Sequence, residues 1–182
     1  MEIKKVGVVG CGLMGHGITQ VSAEAGYDVV VAEVSQEALD KGIGKISKQL
    51  GRAVEKGKIE QSDADAVLGR IQGTTDLADF ADCDLVIEAV TENLDTKLEL
   101  WKKLDGIVKQ DAYFATNTSS LPVINQAAST ARPGQFLGLH FFNPVQRMPL
   151  LEVIQSVTTS PEARGIGLAY GEKLKKTTVE TK

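Results

Sequence analysis

His140 is one of two histidines in the chain, and Glu152 follows it inside the apolar run Leu150-Leu151-Glu152-Val153-Ile154. A histidine held by a carboxylate is a base poised near neutral pH, which suits removal of a proton from a hydroxyl group. An acid inside an apolar run is costly to bury unless its charge is compensated, and this favours a functional pair. The competing reading is a core histidine satisfied by backbone, with Glu152 turned to solvent by strand alternation.

A second group of residues suits a dinucleotide. In Gly10-Cys11-Gly12-Leu13-Met14-Gly15 the first glycine permits a tight turn and the second lets backbone approach a pyrophosphate. The third lets a helix pack on the preceding strand, with the anion at the positive helix end. Glu33 closes the next predicted strand, where a carboxylate would hold the ribose hydroxyls of NAD and repel the 2′-phosphate of NADP. Val34, Ser35 and Gln36 follow with no arginine, so NAD is the expected cofactor. The plain alternative is a structural turn beside a surface glutamate. His16 is expected as an exposed histidine at a helix start, and Cys11 as a small packing residue without a base to activate it.

These residues need a scaffold that brings strand ends together. Val6–Val9 and Val29–Ala32 read as buried strands around a helix over Leu13–Ala25. Gln36 to about Lys56 reads as a long polar helix. A second helix follows, with Ser62 as N-cap and Asp65 three residues later, and the two form a hairpin over about 36–70. Strands at Leu85–Ile87, Tyr113–Ala115, Phe136–Leu139 and Leu150–Ile154 alternate with helices at Leu94–Val108 and Pro161–Leu174. On the first of these helices Leu94, Leu98, Trp101, Leu104 and Val108 share one face, which places Trp101 in the core. The fold class is therefore α/β: a Rossmann-type, doubly wound, mostly parallel sheet with an inserted helical hairpin.

In such sheets ligands gather at the carboxyl ends of strands. Three polar segments fall there: Glu88 to Glu92, Asn117-Thr118-Ser119-Ser120, and His140 to Asn143. Asn117 and Ser119 offer hydrogen bonds to a nicotinamide ribose or a substrate oxygen. Equally, Ser119 or Ser120 could cap a helix starting near Pro122.

The net charge of −4 comes without a basic cluster, which argues against nucleic acid as a partner. Apolar runs are strand-length, so no membrane span is expected. The first strand follows Met1 too closely for a signal peptide. Cys11 and Cys83 form no metal or disulfide pattern, and a cytoplasmic setting is expected.

Together, Gly10–Gly15, Asn117-Thr118-Ser119-Ser120-Leu121, Gly138–Pro144 and Leu151–Ile154 resemble the NAD-binding domain of 3-hydroxyacyl-CoA dehydrogenases, especially the bacterial 3-hydroxybutyryl-CoA type. The similarity runs along essentially the whole chain. It implies His140 as catalytic base, Glu152 as its partner, Ser119 as a donor to the substrate oxygen, and Asn143 as support for the same site. It also implies that Glu92 and Lys97 meet the nicotinamide half of NAD. Lys48, Arg52 and Lys56 on the hairpin would grip the CoA nucleotide of an acyl-CoA substrate; the bland alternative is a solvated face.

Gln146-Arg147-Met148-Pro149 departs from the short-chain pattern and resembles the version in multifunctional β-oxidation proteins. Family enzymes continue past Lys176-Thr177-Thr178-Val179 into a further catalytic segment and an all-helical domain. That domain closes over the acyl-CoA and forms the homodimer. The 182 residues contain neither, so the chain reads as an isolated NAD-binding domain over 1–182, with doubtful turnover of its own. Glu180, Thr181 and Lys182 are expected to be unsettled. The expected reaction is NAD-dependent interconversion of (S)-3-hydroxyacyl-CoA and 3-oxoacyl-CoA. The alternatives are a non-catalytic or crystallin-like NAD-binding member and a dehydrogenase of another β-hydroxy acid.

Overall fold

The computed structural model describes residues 2–182. Eight strands form one sheet, in the order β3-β2-β1-β4-β5-β6-β7-β8. The strands are β1 (Lys5–Val9), β2 (Asp28–Ala32), β3 (Ile71–Thr74), β4 (Leu85–Glu88), β5 (Tyr113–Thr116), β6 (Phe136–Phe141), β7 (Leu150–Ile154) and β8 (Thr177–Thr181). The helices are α1 (Gly15–Glu24), α2 (Gln36–Glu55), α3 (Gln61–Gly69), α4 (Leu94–Ile107), α5 (Val123–Ala127) and α6 (Pro161–Lys173). Strands β1 to β6 run parallel, and the expected Rossmann-type architecture with a helical hairpin is present. The connection from Phe142 to Pro149 is too short for a crossover, so β7 returns antiparallel to β6 and β8 runs parallel to β7.

Continuous β-branched and aromatic runs suit strands covered on both faces. One layer packs Ile18 and Val21 of α1, Leu39, Ile46 and Leu50 of α2, Val67 of α3 and Tyr170 of α6 against the sheet. The other packs Phe80, Trp101, Leu104, Val123 and Ala127. Trp101 is fully buried against Phe114 and Phe136, at centroid distances of 5.0 and 4.8 Å, and its indole N–H donates to Gln126 Oε1. The placement of Trp101 in the core holds. On α4, however, the fully buried residues are Lys97, Trp101 and Leu104, while Leu94 and Leu98 are half-buried.

Several expectations change. The cap of α3 is Glu60, whose N–H donates to Asp63 Oδ2 at 3.2 Å. Ser62 falls inside the first turn, and Asp65 is taken by Gln61. Strand β3 lacks an apolar alternation of its own and exists through parallel pairing with β2. The chain end is ordered as β8: Glu180 accepts from Arg164 and Gln155, and Thr181 O accepts from Gln155 N. Among the described residues no helix is long and apolar enough to cross a membrane.

Candidate active site

The glycine loop joins β1 to α1 at the centre of the sheet, beside the gap between β1 and β4 where the strand order reverses. Gly10 has φ +96°, which a side chain would rarely adopt, and its N–H donates to Ala32 O. A Cβ on Gly15 would lie 1.7 Å from Gly10 O, so only glycine lets α1 start there. A Cβ on Gly12 would meet nothing within 4 Å, leaving open space over the loop. Leu13 and Met14 form the turn before α1, and no side chain caps the helix or places an acid in its first turn. Free N–H groups beside an open glycine fit a pyrophosphate. Glu33 follows β2 and accepts from Cys11 N at 2.7 Å and Val34 N at 3.1 Å, with lone pairs left for ribose hydroxyls. These features fit NAD.

Cys11 is buried against Gly42, and burial pushes its thiol up to about 12; it is a packing residue, as expected. His16 is buried too, contrary to the expected exposure, because its Nδ1 lies 2.6 Å from Gly12 O, tucked under the loop.

Next to the loop, the ends of β4 and β5 are tied by a buried ionic cluster. Lys97 and Glu88 have no exposed side-chain surface. Lys97 Nζ lies 3.0 Å from Glu88 Oε2 and 2.8 Å from Glu92 Oε2, and it donates to Asn117 O at 3.4 Å. Glu88 also accepts from Val90 N and Thr116 Oγ1. Burial pushes the Glu88 carboxyl above its ordinary range, with Lys97 and the Thr116 hydroxyl working against it. Burial pushes Glu92 the same way, but bonds from Lys97 and Thr118 outweigh it and hold Glu92 below that range.

Thr118 donates to Glu92 and accepts from the backbone N–H groups of Ser120 and Leu121. Neither Ser119 nor Ser120 is the cap, and α5 has none from a side chain. Ser119 is exposed, with its backbone N–H donating to Glu92. Asn117 Oδ1 accepts from Phe141 N at 3.0 Å, joining the end of β5 to that of β6.

His140 lies within β6, one step inside its expected position just past a strand, and pairs directly across with Glu152 of β7. His140 Nδ1 is 2.6 Å from Glu152 Oε2, and Phe142 packs on the ring at 4.6 Å. The following loop carries Asn143 and is fastened to α1: a Cβ on Gly17 would strike Val145 at 2.8 Å, and Gln146 bonds Gln20. Lys176 Nζ clamps it from the other side, donating to Val145 O and Met148 O at 2.8 Å each.

Met14, Glu92, Asn117, Ser119, His140 and Asn143 line one cleft of about 330 Å³. A larger hollow of about 640 Å³ shares Ser119 with it and runs past Leu121, Ile154 and Val157. The smaller cleft is the reactive one, because it holds the histidine and reaches the glycine loop. Lys97 stands behind its wall and acts through Glu92 and Asn117. Lys48, Arg52 and Lys56 lie exposed along α2, outside the cleft, with no ion-pair partner among the described residues. Thr118 and Lys176 were not singled out from sequence. Glu88 carried a signal: an acid ending the buried run Leu85-Val86-Ile87 needs a cation, and Lys97 supplies it.

The family model described as the NAD binding domain of 3-hydroxyacyl-CoA dehydrogenase matches residues 5–182. A probable 3-hydroxybutyryl-CoA dehydrogenase of Deinococcus radiodurans is 52% identical over 95% of this chain and 62% of that protein. The fatty acid oxidation complex subunit alpha of Psychrobacter arcticus is 41% identical over 98% of this chain but 25% of its own length. The crystal structure of (S)-3-hydroxybutyryl-CoA dehydrogenase from Ralstonia eutropha superposes with a TM-score of 0.96 at 40% identity, covering 98% of this chain and 63% of that one. The chain thus spans less than two thirds of the relatives that it matches. It belongs to the 3-hydroxyacyl-CoA dehydrogenase family, as the NAD-binding domain.

Proposed function

We propose that the chain carries the cofactor site and the proton-transfer pair for NAD-dependent interconversion of (S)-3-hydroxyacyl-CoA and 3-oxoacyl-CoA, with 3-hydroxybutyryl-CoA and acetoacetyl-CoA as the favoured substrates. The observation that carries this reading is the 2.6 Å His140–Glu152 contact in a cleft open to the glycine loop. When bound, NAD supplies the hydride acceptor. With Nδ1 engaged by Glu152, Nε2 of His140 is the nitrogen free to take the proton of the 3-hydroxyl. Glu152 then compensates the imidazolium, and in the reverse direction His140 returns the proton to the alkoxide. Ser119 and Asn143, exposed on the cleft, are placed to hold the substrate oxygen. Lys48, Arg52 and Lys56 form a cationic stripe suited to the phosphates of CoA.

Calorimetric titration with NADH and NADPH, followed by acetoacetyl-CoA and an NADH absorbance assay, tests this. Tight NADH binding with weak NADPH binding is expected, because Glu33 repels a 2′-phosphate. Failure to bind NADH would overturn the reading.

A further inference from the structure

The buried cluster behind the cleft is unbalanced in charge. Two carboxylates, Glu88 and Glu92, share one ammonium, Lys97, at 3.0 and 2.8 Å. Two negative charges against one positive leave a net charge of −1 in the wall. The Val90 N–H and Lys97 that contact Glu88 can only donate, and Thr116 also donates to it, so its surroundings suit the ionised carboxylate. Glu88 and Lys97 are wholly buried, so water screens this charge less than it would at the surface. The other titratable group lining the cleft is His140, whose own carboxylate, Glu152, stands across on β7.

The sheet order gives the wall its place. A dinucleotide seated on the glycine loop after β1, with one ribose at Glu33 after β2, extends its other end over β4 and β5 towards His140 on β6. Its reactive ring then lies between Glu92 and His140. That ring is cationic when oxidised and neutral when reduced.

Building on the cofactor reading above, we propose that the Glu88–Lys97–Glu92 cluster is a fixed negative charge that favours the oxidised nicotinamide over the reduced one. Glu88 sets this preference without touching the cofactor. The two sides of the cleft then match: each has one carboxylate in excess. The cluster compensates positive charge on the nicotinamide before oxidation of the alcohol, and Glu152 compensates it on His140 afterwards. A unit charge about 8 Å away at an effective dielectric of about 20–30 changes affinity on the order of ten-fold.

The test is the affinity of the folded protein for NAD⁺ and for NADH, each measured by calorimetry, before and after Glu88→Gln. The substitution keeps the side-chain volume and removes the charge. Weaker NAD⁺ binding by on the order of ten-fold, with NADH changed less than about two-fold, is the expected result. A merely structural role would weaken both forms by the same factor, and equal weakening or no change would overturn the proposal. Should Glu88→Gln fail to fold by circular dichroism, Glu92→Gln at the cleft rim reads the same ratio, because a lost ribose contact affects both forms alike. An unaltered chain that binds neither form would overturn the cofactor reading with it. Both forms bound with an unchanged ratio in the variant would overturn only the charge assignment.

Discussion

Glu152 faces His140 because the antiparallel register of β6 and β7 sets the two residues directly opposite. Opposed side chains on one sheet face come within reach of each other without any loop rearrangement, so the pair is held by strand geometry. The charge of Glu152 matters more than its size, since it fixes the imidazole orientation and compensates the proton that arrives. Glu152→Gln is therefore expected to lower turnover of acetoacetyl-CoA by about 10²–10⁴-fold while NADH affinity stays within a factor of about two. Stopped-flow absorbance and calorimetry on the same preparation check this. Comparable activity in the variant would remove Glu152 from the chemistry. The pair was legible in the sequence because its residue types are scarce in an apolar setting. Lys97 was legible only as a cofactor contact, since nothing local shows that a lysine at the start of α4 points into the protein.

At the level of elements, the glycine loop and the α6–β8 turn show opposite uses of backbone conformation. Gly15 is obligatory: a Cβ would lie 1.7 Å from Gly10 O, so Gly15→Ala must push α1 away from β1. Loss of NADH binding is the expected outcome, and titration reads it directly. Lys175, by contrast, sits at φ 56° just past the end of α6, in the left-handed region that favours glycine. Its N–H donates to Glu172 O, and that of Lys176 donates to Gly171 O, so the turn itself is well satisfied. Lys175→Gly is expected to raise stability by about 0.5–1 kcal/mol, the left-handed cost outweighing the added chain entropy. Urea denaturation measures it, and a lower midpoint would contradict the strain. Helix and central-strand positions followed from hydrophobic period and capping residues. Edge strands β3 and β8 did not, because they form by pairing with a neighbour and carry little apolar signal of their own. The cap of α3 was misplaced for a related reason: Glu60–Asp63 and Ser62–Asp65 have the same spacing, and only the backbone shows which one starts the helix.

Across the whole molecule, the carboxyl ends of the strands carry the chemistry and the opposite ends carry part of the stability. Asp84, just before β4, accepts from Lys4 N, Lys5 N and Lys109 Nζ at 2.7, 2.8 and 2.5 Å. Burial pushes its carboxyl up, but these donors outweigh it, and Asp84 lies below the ordinary carboxylate range. A carboxyl with a depressed folded pKa contributes stability that is present above its unfolded value, near 3.9, and is lost as pH falls through the folded value. Thermal melts are thus expected to weaken as the pH is lowered below about 4, with Asp84→Asn removing part of that dependence. A variant that melts with an unchanged pH profile would contradict the role of Asp84. The same division of ends explains why the site could be outlined from sequence. The three polar segments that follow β4, β5 and β6 converge because parallel strands deliver their ends to one edge. The charge behind them could not be outlined, since it depends on which side chains turn inward.

The most direct test of the account is whether the reactive end of the cofactor reaches His140. With only two histidines in the chain, labelling the imidazole rings with ¹³C gives two resolvable signals. Addition of NADH is expected to shift the His140 signal and to produce nuclear Overhauser contacts between its ring and the nicotinamide protons, with the assignment fixed by His140→Ala. Saturable NADH binding that leaves the His140 ring unshifted and without such contacts would contradict it.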